Sequence, residues 1–116
     1  MVELERRVQR LIDRTDQGKV SWEITADKGS YQASFPSYAV RLFARENDRY
    51  ADQEVDYVLT IHDESGEMVD EITDTALRES GFDEAYKKMG HLYNEARRKA
   101  MGVDKVIEDL LSELGD

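Results

Sequence analysis

Between Val20 and Ile72 the apolar residues of this chain recur at every second position, whereas before Gly18 and after Gly81 they recur at every third or fourth. A period of two suits a pleated strand with one buried face, and a period near 3.6 suits an amphipathic helix. Neither pattern fits the other's geometry, so the chain must place a sheet between helical ends. Strands gathered together and flanked by helices, rather than alternating with them, give an α+β domain with antiparallel pairing.

Residues 2–16 form the first helical segment, with Leu4, Val8, Leu11 and Ile12 on one face and Gly18 placed to end it. In VSWEIT, Val20, Trp22 and Ile24 are expected to face the core, and Trp22 reads as an anchor whose indole N–H finds an acceptor. ADKGS has turn chemistry. YQASF and YAVRLFA alternate again, joined through FPSY because Pro36 cannot donate to a ladder. ENDRYADQEVD, residues 46–56, reads as a polar loop. YVLTIH is the clearest strand, with Tyr57, Leu59 and Ile61 opposite Val58, Thr60 and His62, and DESG turns it into EMVDEI. Thr73 or Asp74 then caps a short helical turn. The expectation is one α+β domain over residues 1–116: an N-terminal helix, about five antiparallel strands in hairpins, and C-terminal helices packed on one sheet face.

The net charge of −10 is regional. From Glu46 to Asp74 there are eleven acids and one base, Arg49, while the rest of the chain is neutral. Phosphates are repelled by such a segment, so direct nucleic-acid binding is not expected. Arg6, Arg7 and Arg10, like Arg97, Arg98 and Lys99, have acids nearby in sequence and read as solvated helix faces. The acidic window itself has two readings. It is a soluble sheet rim that discourages edge pairing, or a surface for a basic partner formed by Asp63, Glu64, Glu67 and Asp70. Asp70 and Glu71 must point to opposite faces of one strand, which favours the first.

The chain has no cysteine, so disulfides and thiolate chemistry are excluded. The opening MVELERRVQR lacks the apolar run of a secretory signal, and no later stretch has membrane-spanning length. A cytoplasmic location without membrane contact is the expectation. Histidine occurs twice. His62 beside Asp63 and Glu64 invites a general-base reading, but a histidine at a strand end next to an exposed turn is the plainer one. HxxxH, calcium-loop, glycine-rich phosphate-loop and GxSxG patterns are missing. No catalytic, metal or cofactor residue is assigned, and an enzyme is not expected.

The C-terminal region carries the strongest pattern. Tyr86, Met89, Tyr93, Ala96, Ala100, Val103, Ile107, Leu110 and Leu114 follow steps of three and four without a slip, crossing Gly102 in register. One continuous helix over this span would be about 43 Å long, more than the roughly 35 Å diameter of a compact domain of this size. Gly102 suits a helix end and Asp104 an N-cap for KVIEDLLSEL, so a break at Gly102 is expected. Val106 and Leu111 widen the stripe beyond a two-stranded seam. The face Val103–Ile107–Leu110–Leu114 is then expected to be shared between the domain's own sheet and a second copy. Tyr86 and Tyr93 suit a core or an interface equally.

The motifs GKVSWEIT, YVLTIHDESGEMVDEI and LYNEARRKAMGVDKVIEDLLSEL resemble a pattern found in small uncharacterised bacterial and phage-associated α+β proteins. Those have a GKVxW strand and a tail of the type ARRxAxGVDxxIxxLLxxL. The resemblance covers most of the chain, supports the fold, and carries no activity to any residue. Two functional expectations follow. The first is a small cytoplasmic interaction module that self-associates, as a homodimer, through its C-terminal helices. The alternative is an acidic inhibitor or decoy, anti-defence or antitoxin-like, that binds a basic protein through the 46–74 hairpin.

Overall fold

The computed structural model describes residues 2–46 and 55–115. Helix α1 (Val2–Asp16) leads into strands β1 (Trp22–Ile24), β2 (Tyr31–Ser34), β3 (Tyr38–Glu46), β4 (Val55–Asp63) and β5 (Met68–Thr73). Helices α2 (Asp74–Glu79), α3 (Ala85–Ala100) and α4 (Val103–Glu113) follow. The strands pair antiparallel in the order β1-β2-β3-β4-β5, so each hydrogen-bonds the next in sequence. This is the α+β meander that the change of period requires.

Helix α1 ends as its glycine dictates. Gly18 takes φ +74°, Lys19 N–H donates to the Arg14 carbonyl at 2.9 Å and Gly18 N–H to that of Thr15 at 3.0 Å. The last carbonyls of the helix are thereby satisfied. Val8 and Ile12 enter the core with Met89, Leu92 and Ala96 of α3, and with Trp22, Tyr31, Ala33, Leu42, Leu59 and Ile72 of the sheet. The Trp22 indole donates to the buried Thr15 hydroxyl at 3.2 Å. That bond ties the first strand to the last turn of α1.

Two sequence expectations are corrected here. Glu46 pairs with Val55, and Asp56 lies in β4, so the β3–β4 connection is shorter than 46–56; its remaining residues, 47–54, lie outside those described. The ladder wins because Tyr57, Leu59 and Ile61 pair with Ala44, Leu42 and Val40, and extending that register draws in the flanking residues. Ile24 alternates as expected but is 66% exposed. Strand β1 has three residues at the sheet edge, and Ile24 borders an open cleft with Tyr31, Tyr93, Arg97 and Met101.

Four tyrosine rings meet, edge-on or tilted, where α3 meets the sheet. Tyr57 lies 5.4 Å from both Tyr86 and Tyr93, and Tyr93 lies 5.6 Å from Tyr31, measured between ring centroids. Gly90 makes room for this row, since a Cβ there would stand 3.2 Å from the Tyr57 ring. Tyr86 and Tyr93 therefore belong to the packing of α3 on β4. Burial raises the pKa of both Tyr57 and Tyr93 above the ordinary phenol value, with neighbouring tyrosines adding to it.

Between the two alternatives for capping α2, Thr73 is the N-cap: its hydroxyl accepts from Ala76 N–H at 3.0 Å. Asp74 is fully buried and accepts the Tyr57 N–H. In return Asp56, on β4, accepts the Thr75 N–H and hydroxyl at 3.2 and 3.0 Å. These crossed hydrogen bonds hold the start of β4 to the start of α2.

Candidate interaction surfaces

The break at Gly102 divides the apolar stripe into two unlike halves. Gly102 adopts φ +61°, the left-handed region that glycine enters at little cost. Before it, Met89 and Ala96 are completely buried. After it no residue of α4 is buried. Ile107 is 46%, Leu110 54% and Leu114 71% exposed, while Val103 at the start of the helix is partly covered. Val106 and Leu111 are exposed beside them. Within this chain α4 packs against α3, so its stripe faces outward.

Asp104 does not cap α4. The helix restarts two residues earlier than an Asp104 cap would require, with Val106 N–H donating to the Gly102 carbonyl at 3.0 Å. Gly102 occupies the N-cap position and Asp104 lies in the first turn. Its carboxylate accepts from the Arg98 guanidinium at 2.9 Å, near the positive end of the helix. Lys105 and Asp109 form an exposed pair at 3.1 Å. Charges thus occupy the back of α4 and apolar side chains its front.

The acidic hairpin is less available than its composition suggests. One Asp63 carboxylate oxygen accepts from Ser65 N–H at 3.0 Å, Ser65 hydroxyl at 2.7 Å and Glu67 N–H at 3.0 Å. These bonds, led by the Ser65 hydroxyl, lower its pKa below the ordinary aspartate value. Asp63 is a turn-forming residue. Gly66 N–H closes the turn on the Asp63 carbonyl at 3.0 Å. Asp70 pairs in register with Ile61 and Glu71 with Thr60, so they point to opposite faces as expected. Glu71 lies 3.6 Å from Arg45. Glu64 and Glu67 remain exposed at the tip. A bulge near Ile61 and His62 interrupts the edge ladder, which discourages a further strand from joining β5.

His62 is held on both sides of its ring. Nδ1 lies 3.3 Å from the Gly66 carbonyl and Nε2 lies 2.9 Å from the Thr60 hydroxyl. A carbonyl only accepts, so Nδ1 carries the proton in that bond, and the Thr60 hydroxyl, which can donate or accept, partners Nε2. The arrangement steadies the hairpin. His62 also borders a hollow of about 530 Å³, with Arg41, Glu71 and Tyr93. Arg41 there donates to Gln32 at 2.7 Å. His91 pairs with Asp16 at 2.8 Å, joining α3 to α1. Among the described residues, no group of three or more His, Asp or Glu is placed to hold a metal ion. None of the described helices is long and apolar enough to cross a membrane.

The expected packing of the Val103–Ile107–Leu110–Leu114 face on the domain's own sheet is corrected: α4 contacts α3 and buries no residue. Ile24, expected in the core, and Met101 are exposed as well. Both look like core residues by type, and they border one open cleft with Tyr31, Tyr93 and Arg97. Comparison with family models, with curated proteins and with solved structures finds no match.

Proposed function

We propose that this protein is a cytoplasmic interaction module that associates with a second copy of itself through α4. The observation that carries this reading is an amphipathic helix whose apolar front has no cover. Helices shorter than about 12–15 residues are marginal in water without tertiary packing, and α4 has 11. Covering five half-exposed aliphatic side chains would contribute on the order of 5 kcal/mol per chain, taking half of the ~1.5–3 kcal/mol for complete burial of each. Against this stands an association cost of about 4–15 kcal/mol. The two terms are of similar size, which suits a reversible rather than a permanent dimer.

The acidic-hairpin alternative has less support, because Asp63 is occupied in its own turn and Asp70 and Glu71 diverge. Light scattering on the full chain and on a truncation after Met101 tests the reading. A concentration-dependent dimer that the truncation abolishes supports it; monomers in both samples overturn it.

A further inference from the structure

Resting on that reading, we infer that the two α4 helices pack antiparallel about a two-fold axis passing between Glu108 and Asp109. The apolar positions Val103, Val106, Ile107, Leu110, Leu111 and Leu114 are symmetric about that point. Turned end for end, the helix sets Val103 against Leu114 of the second copy, Val106 against Leu111, and Ile107 against Leu110. The same patch serves both copies, as an isologous contact requires.

Three observations favour antiparallel over parallel packing. The first is volume. Every antiparallel layer joins one β-branched residue to one leucine, so the layers are evenly filled; a parallel pair stacks Val on Val at one end and Leu on Leu at the other, which fills the two ends unequally. The second is the helix dipole, since antiparallel helices set the positive end of one beside the negative end of the other. The third is charge. Each chain carries −10, and the antiparallel arrangement attaches the two domains at opposite ends of the helix pair, about 16 Å apart along its axis. A parallel pair would bring them to the same end. Glu108 and Asp109, nearest the axis in sequence, lie on the back of α4 and do not enter the contact.

The chain has no cysteine of its own, which makes single-cysteine crosslinking clean. Val103→Cys and Leu114→Cys would be prepared separately, as full chains, at exposed or half-exposed sites that leave the core intact. Opposed positions fall within disulfide reach, whereas Val103 of both copies would stand about 16 Å apart. The expected result is little covalent dimer from either variant alone under mild oxidation. An equimolar mixture then crosslinks up to the statistical share of mixed pairs. Efficient crosslinking of each variant alone means parallel packing and overturns the inference while leaving self-association intact. A dimer in light scattering that crosslinks in neither format uses another surface and also overturns it. A monomer in light scattering overturns the reading beneath it.

Discussion

Thr15 shows how a residue of little apparent interest governs the fold. Its hydroxyl is completely buried and is the hydrogen-bond partner of the Trp22 indole. Replacing Thr15 by Val keeps the shape and leaves the indole N–H without that acceptor, at a cost of about 1–3 kcal/mol. Chemical denaturation should register that loss, and Thr15→Ser should recover most of it. Asp63 supplies a second test at this scale. Its folded pKa lies below the ordinary aspartate value, so its contribution is present above that ordinary value and is lost as pH falls through the depressed one. Asp63→Ala should lower the melting temperature at neutral pH, and the difference from wild type should close at a pH well below the ordinary aspartate value. A difference that persists at that pH would show that the carboxylate's bonds are not what holds the turn. The expectation that Trp22 finds an acceptor was readable from its strand position; that the acceptor is Thr15 was not, because it depends on how α1 crosses β1.

Among the elements, the strands and α1 were legible because each has one clean period and a turn residue at its end. Gly18, Thr73 and Gly102 stand where their backbone or side-chain chemistry placed them. What the sequence left hidden was tertiary. The crossed bonds of Asp56 with Thr75 and of Asp74 with Tyr57 join residues 17 and 19 apart, and no local pattern announces them. Asp104 does not take the expected N-cap position because an aspartate two residues after a glycine suits an N-cap and a first-turn position equally well, and Gly102 itself takes the cap. The tyrosine row offers a test of α3 packing. Tyr57 and Tyr93 have raised pKa values through burial, so the stability they contribute is present below the ordinary phenol value and is lost as pH rises through the raised values. Ultraviolet titration should show phenol ionisation extending above the ordinary value, and Gly90→Ala, which crowds Tyr57, should bring Tyr57 closer to ordinary behaviour. Helix α4 behaves differently from its neighbours. Because it buries no residue, truncation after Met101 should leave the melting temperature of dilute protein nearly unchanged, as differential scanning calorimetry would show.

Taken as a whole, the molecule is a helix-covered sheet with one helix left over. Its radius of gyration is 15.5 Å, above the roughly 13 Å of a compact chain this long, in keeping with a helix that packs on a single neighbour. Each copy carries a net charge of −10, so two copies repel at long range. Raising ionic strength screens that repulsion, and sedimentation should show self-association strengthening with salt. An association driven by contacts between opposite charges would weaken instead. The central claim is that the outward stripe of α4 is a self-interaction surface, and sedimentation equilibrium of the full chain beside Ile107→Lys and Leu110→Lys variants tests it most directly. The account expects a reversible dimer for the full chain and monomers for both variants, all three with the same circular dichroism of the folded core; a full chain that stays monomeric at every concentration, or variants that dimerise as well as it does, would contradict it.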